Sequence, residues 1–310
     1  MTWAGRGSAR PSETRPREKR VSTEQRTEAR QKANRRLAQF LRHPGYEVIP
    51  LAGVEESVVE HVPKSISLTV TASPGKGMPA TVDLAERLAA HGFDVSPHLS
   101  ARLIRDGSEL TEILDRLHGA GIRSVFVVAG DVSEPAGEFE GAVELLRAMS
   151  EIGRRFGKVG ITGYPESHPL ISDEATIRAM YDKAPYADYI ISQICFDPRT
   201  ISDWARWVKR RGVDLPIRVG MPGVVNRQKL MRISATIGLG ESARFLLKQR
   251  NWLLKMFMPG GYSPNRLVLG LRSALADPES NVEGFHIYTF NDVGKTEAWR
   301  RELLKRVEAS

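Results

Sequence analysis

Eight short apolar, β-rich runs recur along this chain at helix-length intervals, and that spacing limits the fold more than any other feature. They are Tyr46–Pro50, Ser65–Thr71, Asp94–His98, Ser124–Ala129, Lys158–Gly163, Ala187–Gln193, Pro216–Gly220 and Gly284–Thr289. Amphipathic stretches separate them at Ala80–His91, Gly107–Ala120, Gly141–Phe156, Ser172–Lys183, Arg199–Arg211 and Asn226–Ile237. Intervals of that length call for crossover connections, so the strands are expected to run parallel. Eight such units over roughly 265 residues match a single-domain α/β (β/α)8 TIM barrel in count and size. A doubly wound open sheet is the alternative, but no Gly-x-Gly-x-x-Gly follows a first strand. The one oversized connection, 241–276, holds two helical segments, Glu241–Met258 and Asn265–Ala276.

The net charge of +8 is unevenly placed. Residues 1–42 hold 12 Lys or Arg against 4 Glu, which leaves 33 basic and 33 acidic residues in 43–310. The first 22 residues, rich in Gly, Ser, Pro and Arg, cannot bury enough apolar surface to order themselves. From Thr23 to Arg42 the composition favours helix. The expected organisation is therefore a basic, partly disordered tail over 1–42 and a barrel over 43–310. The tail lacks aromatic interleaving and a binding module behind it, so a solvated appendage is expected rather than a nucleic-acid arm. Its glutamates argue against a transit peptide. No apolar run approaches the roughly 20 residues needed to span a bilayer. The single cysteine, Cys195, excludes an internal disulfide framework and fits a reducing, cytoplasmic setting. Nothing in the composition speaks against a homo-oligomer.

On a barrel the carboxyl ends of the strands share one face, and that face carries the site. The strand-end residues here are Glu47, Thr69, His98, Asp131, Tyr164, Glu166, His168, Gln193 and Tyr288. Almost every strand closes on a group that can bond or titrate. No His-x-x-x-His or similar spacing among them marks a metal site, so no metal is expected. Read from the residues alone, Glu47 is either a general acid with a raised pKa or a salt-bridged strand end. Asp131, after Gly130, is either a charge partner for a cation or an N-cap. Gln193 suits a ring edge that needs a donor and an acceptor together, or simply caps its strand.

These strand ends together resemble the methylenetetrahydrofolate reductase family over about residues 45–305. The opening strand Tyr46-Glu47-Val48-Ile49-Pro50 is similar to its Phe-Glu-Phe-Phe-Pro, and Ile66-Ser67-Leu68-Thr69-Val70 to its Val-Ser-Val-Thr-Tyr. Pro97-His98-Leu99-Ser100, Ala129-Gly130-Asp131 and the intact Tyr-Pro-Glu-x-His-Pro at 164–169 follow in order. So do Ile191-Ser192-Gln193 with Phe196-Asp197, and Phe285-His286 with Tyr288-Thr289 and Asn291. The resemblance implies hydride transfer from NADH or NADPH, by way of FAD, to the bridging methylene of a folate. It implies Glu47 and Asp131 as catalytic groups, with Gln193, Asp131 and Tyr288 on the substrate. Thr69, His98, Asp131, Tyr164, His168 and Lys183 would be the flavin contacts.

The departures bear on the flavin. Ala129 stands where the family has an Arg on the phosphate and ribose side, and 72–77 reads Ala-Ser-Pro-Gly-Lys-Gly instead of a Gly-rich turn. Arg227 replaces an aromatic residue, the loop after Asp131 is short, and the Lys183–Gln193 interval is one residue short. FAD is accordingly expected to bind weakly. A flavin-free reductase with direct hydride transfer, and a redox-inactive folate-binding protein, are the alternatives.

Overall fold

The computed structural model describes residues 23–73, 75–153, 156–166, 173–224, 264–277 and 279–309. Eight parallel strands close into a barrel in sequence order, the last pairing with the first. They are β1 Gly45–Val48, β2 Ser67–Val70, β3 Val95–Ser100, β4 Ser124–Val128, β5 Lys158–Gly163, β6 Tyr189–Ser192, β7 Ile217–Pro222 and β8 Val282–Tyr288. The fold is a (β/α)8 TIM barrel, and each strand falls on one of the eight expected runs.

Helices cover the outside: α1 Thr23–Arg42, α2 Val54–His61, α3 Gly77–Ala90, α4 Gly107–Gly119, α5 Ala142–Ile152, α6 Asp173–Lys183 and α7 Pro198–Arg210. The chain ends with α8 Pro264–Gly270, α9 Arg272–Ala276 and α10 Val293–Glu308. Asp106 and Asp197 start α4 and α7 by accepting from backbone N–H groups one turn on, the usual N-cap device. The stretches expected as helix at Asn226–Ile237 and Glu241–Met258 lie outside the described residues, as do residues 1–22. The sequence reading did not anticipate α2 or α10. Among the described residues no helix is long and apolar enough to cross a membrane.

The expectation of a solvated appendage is corrected over the second half of α1. Leu37 and Leu41 are fully buried, and Ala33, Ala38 and Phe40 nearly so. The Phe40 ring meets Phe285 of β8 edge-on, centroids 6.1 Å apart. Arg300 of α10 donates to the Leu41 carbonyl at 2.7 Å, and Arg42 reaches Glu308 at 2.6 Å. Arg30, Lys32, Arg35 and Arg42 are exposed on the outer face of this helix, whose inner face belongs to the core.

Side chains alternate along each strand between the helical layer and the lumen. The large apolar core lies between strands and helices. Inside the barrel a small separate cluster of Phe126, Tyr189 and Ile191 fills the space. Gly160 makes room for it: a Cβ there would stand 2.4 Å from the Tyr189 ring and 2.7 Å from Phe126. The same alternation sends Tyr46 outward, where its hydroxyl donates to Glu297 of α10 at 2.8 Å, and sends Glu47 inward.

Candidate active site

The end of β1 is tied to the end of β8. The Thr289 hydroxyl donates to the Glu47 carbonyl at 2.6 Å. The Asn291 side chain accepts from Ile49 N at 2.8 Å and donates to Ile49 O at 2.9 Å. Phe290 and Asn291 take left-handed backbone angles, φ 48° and 57°, to make this turn, a conformation that Asn tolerates better than most residues. The Thr-x-Asn part of the C-terminal motif thus holds the strand that carries Glu47.

Inside the barrel Glu47 faces two imidazoles. Its Oε2 lies 3.2 Å from His286 Nε2 and 3.5 Å from His98 Nε2. His286 Nε2 is also 3.4 Å from the Thr69 hydroxyl. Register explains the grouping, since Glu47 pairs with Thr69 on β2 and with Tyr288 on β8. Gly45, one step below, lets the His286 ring lie against β1: a Cβ there would be 3.1 Å from Nδ1.

Burial decides the protonation states. It pushes the Glu47 carboxyl up to about 7, opposed by the His98 charge. It pushes His98 down to about 4 and His286 down to about 3, the latter helped by the positive charge of Arg218. Tyr288 is raised well above its ordinary value by burial and by the Glu47 charge, and its hydroxyl donates to Ser192 O at 3.2 Å. His286 Nδ1 is buried with no hydrogen-bond partner. An imidazolium needs an acceptor at both nitrogens, so the geometry also favours neutral His286. Glu47 is then the group that carries the proton.

A second cluster stands at the carboxyl ends of β5 and β6. Lys183, buried at the end of α6, approaches the Thr162 hydroxyl at 3.3 Å, and burial pushes its amine down to about 8. Tyr164 bonds to Thr162, senses the charge of Asp131, and is raised chiefly by burial. Asp131 itself is exposed after Gly130, whose φ is +100°. The Gln193 backbone is anchored to Gly163 O at 2.7 Å and its side chain is exposed. Cys195 is buried, and burial pushes its thiol up to about 12.

The structure thus gathers Glu47, Thr69, His98 and Tyr288 in the lumen, and Asp131, Tyr164 and Lys183 at its rim. His168 and Arg227 lie outside the described residues. His286 appeared in the sequence only as part of a motif. The signal that could have found it is parity, since His286 and Tyr288 are two apart on one strand and must face the same way. No group of three or more His, Cys, Asp or Glu able to hold a metal occurs among the described residues.

Known proteins are similar to this chain in the same terms. It is 27% identical over 177 residues to methylenetetrahydrofolate reductase 2 of Saccharomyces cerevisiae, 53% of this chain and 29% of that one. It is 25% identical over 228 residues to a probable methylenetetrahydrofolate reductase (NADPH) of Caenorhabditis elegans, 69% of this chain and 32% of that one. The chain spans about a third of the length of these curated relatives. Among solved structures, 2,3-dimethylmalate lyase gives a TM-score of 0.46 at 11% identity, over 91% of this chain and 88% of that one, too slight a likeness to bear on function. The family model for methylenetetrahydrofolate reductase matches residues 51–240, from the turn after Glu47 past the end of β7, and on that match the chain belongs to the methylenetetrahydrofolate reductase family.

Proposed function

We propose that this protein reduces 5,10-methylenetetrahydrofolate to 5-methyltetrahydrofolate with NADH or NADPH as hydride donor, Glu47 serving as general acid. The observation that carries the reading is the buried Glu47 carboxyl, held by His286 and raised to about 7 at the carboxyl end of a closed barrel. Opening the substrate's five-membered ring puts a proton on the leaving nitrogen and leaves a cationic iminium. A carboxylic acid that titrates near neutrality suits the first task, and such a group is typically worth about 10²–10⁴ in rate. Asp131 at the rim suits the second, because a carboxylate close to the cation offsets its charge. Gln193 and Tyr288 would hold the substrate. The cytoplasm is the expected setting.

The residues present are compatible with FAD. Lys183 is a buried amine, and among the described residues no carboxylate pairs with it, so an anionic phosphate would suit it. Thr69, His98, Asp131 and Tyr164 would flank the rest of the cofactor. When bound, FAD would carry hydride between nicotinamide and folate. Ala129 is exposed and supplies no guanidinium. That favours weak binding, and it is also the observation behind a second reading, in which nicotinamide delivers hydride to the folate directly. The test is an assay of NADH and NADPH oxidation with methylenetetrahydrofolate, alongside the absorption spectrum of the pure protein. Oxidation with formation of 5-methyltetrahydrofolate supports the reading, and its absence with both nucleotides overturns it. A flavin spectrum separates the first route from the second.

A further inference from the structure

The loop that follows β4 carries Asp131 and runs to the start of α5, and it is bound along its length to the turn between β3 and α4. Arg102, in a short 3-10 turn after β3, makes most of that connection. Its Nε donates to Glu140 O at 2.8 Å, and its Nη1 to Val132 O at 3.0 Å and Ser133 O at 3.5 Å. Its backbone N donates to Ala129 O at 2.9 Å, and its own carbonyl accepts from Ala136 N at 3.0 Å. Glu138 N bonds to Arg105 O at 2.8 Å, and Gly137 packs so closely there that a Cβ would stand 1.9 Å from that oxygen. Gly130 is seated likewise: its φ is +100°, and a Cβ would stand 2.3 Å from Ser100 Oγ and 3.5 Å from Arg102 Cβ. One planar cation therefore accounts for carbonyls on both sides of Asp131's loop, using the fork geometry that a Lys ammonium cannot copy.

We infer that Arg102 is a positioning residue: it ties the Asp131 loop to the turn that follows His98 and so fixes the Asp131 carboxylate beside Tyr164 at the mouth of the barrel. The inference rests on the role proposed for Asp131. The bonds from Val132, Ser133, Ala136, Glu138 and Glu140 all run to this turn, and Arg102 supplies the side chain among them. Loss of the guanidinium releases three carbonyls at once and frees the carboxylate to wander, and misplacement by about 1 Å can cost on the order of 10²-fold in rate.

The test combines kinetics with amide exchange on Arg102→Met, Arg102→Lys, Asp131→Asn and the double variant. Arg102→Met should lower kcat for folate reduction by roughly 10- to 100-fold. It should also speed exchange of the Ala136 and Glu138 amides at least tenfold while β1–β8 amides keep their protection, and Arg102→Lys should recover only part of each effect. In the Asp131→Asn background, Arg102→Met should cost no further activity, because both changes act through one carboxylate. Additive losses, or unchanged exchange in 132–140, would overturn the inference. An Asp131→Asn enzyme of undiminished rate would overturn both the role of Asp131 and the kinetic part of the inference, while the exchange rates would still decide whether Arg102 holds the loop.

Discussion

The Glu47 carboxylate and the His286 imidazole meet 3.2 Å apart across the seam where the last strand of the barrel pairs with the first. Both are taken out of water, and each is driven toward its uncharged form, the acid upward and the base downward. Below pH 7 the pair is thus a carboxylic acid beside a neutral imidazole, a proton held ready with no formal charge on either partner.

Replacing Glu47 with Gln keeps the shape and removes the proton. Folate reduction should fall by about 10²-fold or more. Substrate affinity should change little. If the enzyme uses FAD, NAD(P)H oxidation by a quinone should survive, since that half-reaction needs no proton on folate. Parallel loss of both half-reactions would make Glu47 a structural residue.

The same cluster sets a pH dependence of stability with two opposed slopes. Glu47 titrates at about 7 when folded against an ordinary 4.5, so its contribution is fully present below pH 4.5 and is lost as pH rises from there through 7. His98 and His286, at about 4 and 3 against 6.5, act in the other direction and cost stability as pH falls below 6.5. Glu47→Gln removes only the first slope. The variant should match the wild type near pH 4 and exceed it at pH 8 by on the order of 3 kcal/mol. Urea midpoints at the two pH values would check this, and equal differences at both would refute it.

Leu41→Ala should destabilise the protein by about 2–5 kcal/mol, the usual cost of emptying a fully buried leucine site. Chemical denaturation would measure it. An unchanged midpoint would mean that α1 is not part of the cooperative fold.

Restoring a guanidinium by Ala129→Arg should tighten FAD by roughly 10- to 100-fold, the equivalent of one charge-assisted contact to phosphate. Fluorescence titration of flavin into the pure protein gives the two dissociation constants. If neither protein binds FAD at high micromolar concentration, yet both reduce methylenetetrahydrofolate, the direct route holds.

Strands were legible because their apolar runs are short, regularly spaced and closed by polar residues, and Glu47, Thr69, His98 and Tyr288 were found as residues that close those strands. The helix Val54–His61 was not, since half of its eight residues are Glu or His and its valines read as strand formers. In α10 the inward positions include Glu297 and Arg300, which pair at 2.7 Å beneath Tyr46 and interrupt the apolar stripe. The packing of α1 was hidden by charge. Its inner stripe of Ala33, Leu37, Phe40 and Leu41 has helical spacing, but a tally of arginines does not show it. Arg102 could not be found from sequence at all, because its partners are backbone carbonyls, which every residue has.

Glu47 and His286 stand 239 positions apart in the chain. A contact of such long sequence separation forms late, after most of the loop-closure cost has been met. During synthesis the first strand emerges with an ordinary, hydrated glutamate at 47, and burial inside the closed barrel is what converts it into an acid that titrates near 7. Titration of this one side chain therefore reports whether the ring has closed, and an N-terminal fragment that stopped short of β8 would be chemically silent however well its first strands were formed.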